Sequence, residues 1–193
     1  AGDINKLERA TSQLGSHELA VYAESYRLRM WMDKGDPSNL RDLLQRNEGS
    51  YVAEKLRADW IRLLGKRSTW NEVDTEFPKM IAPEPDVTCY NQQARLARND
   101  RAVLAEAEKL WLTMLEPPEP CRPVMDALVA NQRISTDEVW ARARRQVEAN
   151  RPGWARTTLN YLPESQMPDS RAYDSAISSA MSHLVRQPGN WSG

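Results

Sequence analysis

Glu164-Ser165, Cys89, Cys121, His17, His183 and two groups of arginines are the residues of this 193-residue chain whose types or spacing could do chemistry. Cleaving a glycosidic bond needs a carboxylic acid that stays protonated near neutral pH, which in turn needs a desolvating pocket. Glu164 follows Tyr161-Leu162-Pro163 and stands near Pro168, so it reads as a residue of an ordinary interhelical loop with no such pocket. The cysteines are far apart and only two histidines accompany them, which does not make a zinc site. They are either a structural disulfide or two unrelated buried thiols. A bond closing a loop of about 30 residues would add roughly 3–4 kcal/mol on a chain-entropy account. Arg142, Arg144 and Arg145, and likewise Arg95, Arg98 and Arg101, could hold an anion. Acids stand near them in the chain, however, and most of the six fall on polar faces of amphipathic helices. The seven tryptophans could stack on sugars. Trp60, Trp70, Trp111 and Trp140 sit on apolar stripes and read as core, whereas Trp31, Trp154 and Trp191 are less determined. With no Gly-rich phosphate loop, nucleophile elbow or metal-binding histidine pair, no catalytic residue, metal or cofactor is expected.

The elements that would carry these residues are helices. The chain has 21 Ala and 19 Leu against 10 Val and 5 Ile, a helix-forming composition that excludes a sandwich, a barrel or a Rossmann sheet. Lys and Arg number 26 against 27 Asp and Glu. That balance argues against a chain built to hold nucleic acid or an anionic membrane. No apolar run approaches the ~20 residues of a membrane helix, and no basic-then-apolar leader opens the chain.

Punctuation divides the chain into about ten short helices. Leu7 and Leu14 share a face of a first helix that Gly15 ends. Ser16 is expected to cap a second, with Leu19, Tyr22, Ala23, Tyr26 and Met30 as its apolar stripe. Asp36-Pro37 starts a third, Ser50 a fourth that Gly65 stops, and Ser68 or Thr69 a fifth that ends near Pro78. Beyond Pro83-Glu84-Pro85, Asp86 and Asp100 cap the next two, and the stiff link Glu116 to Pro120 follows. Ser135 or Thr136 caps a helix whose stripe is Val139, Trp140, Ala143 and Val147. A short helix near Trp154 and a last one from Arg171 to Val185 complete the set. Short antiparallel pairs with one stripe each suggest an α-superhelix of stacked hairpins, with a compact, non-repeating helical bundle as the alternative. Trp60-Ile61-Arg62-Leu63-Leu64-Gly65 is similar to the opening of a tetratricopeptide repeat, displaced by one position, but no clean repeat of about 34 residues follows it. The expected organisation is one α-superhelical domain over residues 1–187 and an irregular tail over 188–193.

From about Ser50 to Pro163 the chain resembles the N-terminal superhelical domain of the soluble lytic transglycosylases. The resemblance rests on Leu56-Arg57-Ala58-Asp59-Trp60-Ile61-Arg62-Leu63-Leu64-Gly65-Lys66-Arg67, then Val87-Thr88-Cys89-Tyr90-Asn91 and Gln93-Ala94-Arg95-Leu96-Ala97. Ala107-Glu108-Lys109-Leu110-Trp111-Leu112-Thr113, Pro120-Cys121 and Asp137-Glu138-Val139-Trp140-Ala141-Arg142 continue it in order. It implies an irregular α-superhelix that frames a separate catalytic domain, a periplasmic location, and peptidoglycan strands as the substrate of the whole enzyme. It also implies a Cys89–Cys121 disulfide, since disulfides persist in that compartment. In that family the catalytic Glu lies in a lysozyme-like C-terminal domain, where its Glu-Ser pair precedes a Gly-Leu-Met-Gln type stretch. No such stretch follows Glu164 here, so no catalytic residue carries over. The expected role is a non-catalytic scaffold segment, a piece of a longer enzyme. Its partners would be peptidoglycan glycan strands and the parent's own catalytic domain. A stand-alone helical-repeat adaptor for a protein partner is the alternative.

Overall fold

The computed structural model describes residues 4–186. Twelve α-helices and three 3-10 turns run through them, with no strand among the described residues, and helix accounts for 73% of those residues. The chain folds as two compact units, Ala1–Val103 with Pro118–Val124, and Leu104–Pro117 with Met125–Gly193. The tail over 188–193 lies outside the described residues.

The first unit holds α1 (Ile4–Leu14), α2 (Ala20–Trp31), α3 (Ser38–Arg46), α4 (Tyr51–Lys66), α5 (Trp70–Glu76) and α6 (Pro85–Ala97). Helix α4 is its centre. Ser50 caps it, accepting from the Ala53 N–H at 3.2 Å. Leu56, Trp60, Ile61 and Leu64 then pack against Leu40, Leu43 and Leu44 of α3, Val73 of α5, and Val87 and Tyr90 of α6. Each fully buried aliphatic side chain of this kind stabilises by about 1.5–3 kcal/mol.

Three local expectations are corrected here. Gly65 does not stop α4; it is buried within the helix, and the Tyr90 ring occupies the space a side chain would need. Ser16 does not cap α2, which begins at Ala20 after a turn closed by the Ala20 N–H to the His17 carbonyl. Helix α2 also presents a different face from the one expected. Ala23, Ser25 and Leu28 are buried, while Leu19, Tyr22, Tyr26 and Met30 are exposed. Leu28 belongs to the core and Met32 packs against it, and Ser25 can be buried because its hydroxyl donates to the Tyr22 carbonyl at 2.7 Å.

The second unit takes most of α7 (Ala102–Thr113) and α8 (Arg122–Ala130). It also holds α9 (Thr136–Glu148), α10 (Pro152–Leu159), α11 (Ser170–Ser178) and α12 (Ala180–Arg186). The single last helix expected from the sequence is two, parted at Ser179, whose φ of −156° and ψ of 71° leave the helical region. Ser135 and Glu138 form a reciprocal capping box at the start of α9. Trp111, fully buried, organises this unit; the Tyr161 ring meets its edge at 5.5 Å and the Arg142 guanidinium lies over its face at 4.8 Å.

One turn recurs. Ser68, Asn99, Gln132 and Asn150 follow α4, α6, α8 and α9 with φ between 55° and 61°. After each, an N–H reaches back to the carbonyl five residues earlier: Thr69 to Leu64, Asp100 to Arg95, Arg133 to Leu128 and Arg151 to Gln146. This is the left-handed stop that glycine usually supplies, made here without it.

Candidate functional site

In the first unit, α1, α2, α3 and α4 enclose a cavity of about 340 Å³ lined by Glu8, Arg27, Trp31, Asp36, Asn39 and Trp60, among others. Trp31 ends α2 and is half exposed, 45% against 3% for Trp60 beneath the Arg41 guanidinium. Asp36 accepts from the Ser38 hydroxyl at 2.6 Å and the Ser38 N–H at 3.0 Å, which fixes the turn into α3 and holds its carboxyl below the usual range. An indole face with cationic, anionic and amide groups around it can bind a small polar ligand with an apolar face. An ionised Asp36 is not a general acid.

Other displaced carboxyls move the same way. Glu84 is lowered by Lys55 and then Arg62, Asp86 by Arg62, Asp100 by Arg95, and Glu138 by the Ser135 N–H and hydroxyl. Arg62 is the hub, meeting Asp86 at 2.6 Å, Glu84 at 2.5 Å and Asp59 at 3.0 Å, and its own pKa rises, chiefly through Asp86. These pairs tie the start of α6 to α4.

The sequence-derived residues disperse. Cys89 of α6 and Cys121 of the 3-10 turn Glu119–Cys121 are paired at bonding distance, sulfur to sulfur 2.06 Å, and both are fully buried. Gln93 adds a bond from its amide to the Pro120 carbonyl at 2.6 Å in the same place. Glu164 lies exposed in a 3-10 turn, Glu164–Gln166, in the second unit, whereas the 340 Å³ cavity belongs to the first. Trp60 and Trp111 are core, Trp70 and Trp140 only half-buried, Trp31 and Trp154 exposed, and Trp191 outside the described residues. Among the described residues no group of three or more His, Cys, Asp and Glu could hold a metal ion. No helix among them is long and apolar enough to cross a membrane.

The arginines divide. Arg95 pairs with Asp100 and Arg98 with Asp74, as a polar face would have it. Arg142 is instead buried, and burial lowers its pKa to about 10. It donates to the Trp111 and Met114 carbonyls, Arg145 to Leu112, and Gln146 to Leu115. Three side chains of α9 thus satisfy the carbonyls at the C-terminal end of α7, where the helix dipole favours cations. A second charged group is buried in the first unit: Arg57 of α4 bonds Glu76 of α5, and Lys79 takes the other Glu76 oxygen at 2.8 Å. The signal for both arginines is positional. Arg57 stands four residues from Ala53 and Ile61, and Arg142 three from Val139, so each lies on an apolar stripe.

No family model, characterised protein or solved structure matches the chain.

Proposed function

We propose that this chain is a non-catalytic superhelical segment of a periplasmic peptidoglycan lytic transglycosylase. It helps frame the space through which glycan strands reach the catalytic domain of the longer enzyme. The observation that carries the reading is the recurring left-handed turn. Ser68, Asn99 and Gln132 follow α4, α6 and α8 at an interval of roughly 32 residues, close to the tetratricopeptide period, while Asn150 follows α9 after a shorter one. Helical repeats of about that period stack into solenoids with extended concave surfaces. The Cys89–Cys121 pair supports the oxidising compartment. The partners are glycan strands and the parent's catalytic domain.

The test pairs binding with chemistry. Purified chain is incubated with isolated peptidoglycan sacculi, pelleted, and the supernatant analysed for anhydro-muropeptides by mass spectrometry. Retention on the pellet without release of anhydro products is expected, for the parent chain and Glu164→Gln alike. Release that the substitution abolishes would make Glu164 catalytic and end the frame reading. Failure to pellet would favour the second reading, an adaptor for a protein partner, which the exposed stripe of Leu19, just before α2, and Tyr22, Tyr26 and Met30 on it supports.

A further inference from the structure

The buried Arg57–Glu76 pair forms one wall of a cavity of about 360 Å³ between α3, α4 and the α5 end, also lined by Arg41, Leu44, Glu48 and Lys79. Ligand sites begin at about this size. The Arg57 side chain is 5% exposed, so its guanidinium is held in place by packing, and Glu76 occupies Nη1. A guanidinium has five N–H donors in a fixed fork, and this one spends few of them on Glu76. Glu76 in turn carries two cations, Arg57 and Lys79, which leaves this wall one positive charge in excess. Arg41 is balanced outside the cavity by Glu72 at 3.1 Å. Glu48 is exposed, and among the described residues it makes no ion pair. Leu44, 2% exposed, is the apolar residue of the lining.

We propose that this cavity binds a small zwitterion of the amino-acid type. Its carboxylate sits on the Arg57 fork with Lys79, its ammonium group faces Glu48, and its apolar side chain lies against Leu44. A lone anion would be repelled by Glu48 with nothing to offset it, and a lone cation would meet the excess charge of Arg57 and Lys79. A zwitterion answers both. The site is independent of the scaffold reading above, since it needs only the first unit's α3, α4 and α5.

The experiment is an NMR titration of the full chain in low-chloride buffer. The probes are L-alanine for a free amino acid, Gly-Ala for a short peptide, and propionate and ethylamine as the two separated halves. Saturable shifts confined to residues 41–48, 57 and 76–79 are expected for one or both zwitterions, with a dissociation constant in roughly the millimolar range for ligands this small. Whichever of L-alanine and Gly-Ala binds more tightly identifies the source. Propionate is expected to bind roughly tenfold more weakly and ethylamine not at all. Lys79→Met and Glu48→Gln, both at solvent-accessible side chains that should fold normally, are each expected to weaken the zwitterion roughly tenfold. Glu48→Gln should leave propionate unchanged. Arg57→Lys keeps the charge on Glu76 but loses the fork, and should abolish binding if its melting curve matches the parent's. No saturable shift with either zwitterion overturns the proposal, as does propionate binding as tightly as they do or Glu48→Gln having no effect.

Discussion

Replacing Gly65 with alanine sets two effects of known size against each other. In an exposed helix interior the change should stabilise by about 1 kcal/mol, the difference in helix propensity. Here the new Cβ would stand 2.6 Å from Tyr90 Cε1 and closer still to Cδ1 and Cγ, distances that no real Cβ tolerates. Tyr90 is 4% exposed, and its helix α6 is held by the Cys89–Cys121 link one residue away and by Arg62 at its start. The ring therefore has little room to retreat. Overpacking of a close-packed site costs about 1–3 kcal/mol, and the upper half of that range applies when the obstacle is a buried ring on an anchored helix. The expected net loss is about 1–2 kcal/mol. Urea unfolding followed by circular dichroism should show the midpoint fall by about 0.5–1 M, taking a slope of about 2 kcal/mol/M. Gly153→Ala in α10 is the internal control, since nothing lies within 4 Å of its Cβ position. It should raise the midpoint slightly. The double variant Gly65→Ala/Tyr90→Leu should lose less than the two single losses added together. A Gly65→Ala chain as stable as Gly153→Ala would refute the close approach of α4 and α6.

Thiol titration in denaturant without reductant should find no free cysteine, and reducing the Cys89–Cys121 bond should cost about 3–4 kcal/mol for a separation of 32 residues. Glu84 and Asp86 have folded pKa values below their ordinary 4.5 and 3.8, so the stability they supply is complete above those values. It is lost as pH falls through the lowered folded values, so Arg62→Gln should flatten the acid limb of a stability-against-pH curve below about pH 4.5 and leave the slope near neutrality unchanged. Gln132→Gly, at φ 55°, should stabilise by about 0.5–1 kcal/mol by relieving the left-handed strain, read as a rise in thermal midpoint.

The helix starts at Ser50, Asp100 and Ser135 were legible because capping is local: one side-chain oxygen and an N–H two or three residues on. The helical class was legible because composition and stripes agree. The stripe on α2 misled because Tyr22 and Tyr26 are apolar enough to suggest core, while a serine, Ser25, took the buried place by bonding its own helix. Gly65 misled because its type says stop, whereas its role is decided by Tyr90, 25 residues away in sequence. The recurring stops were invisible in residue type, since Ser, Asn and Gln all serve; only the backbone angle repeats. The two cavities gather groups from three or four helices each, and no spacing within one helix could announce them.

The grip of α9 on the end of α7 makes the second unit intolerant of one class of change in particular. Arg142, Arg145 and Gln146 reach four carbonyls between Trp111 and Leu115 from a single helical face. Adding or deleting one residue between the Ser135 cap and Arg142 would turn that face by about 100°. All three side chains would swing away together, and the carbonyls would lose their donors, the one at Trp111 in a buried position. Side-chain exchanges along α9 are therefore felt one at a time, but its length is read as a whole. Among related chains, or in a library of variants, gaps should fall outside the stretch from Ser135 to Gln146 even where its individual residues drift.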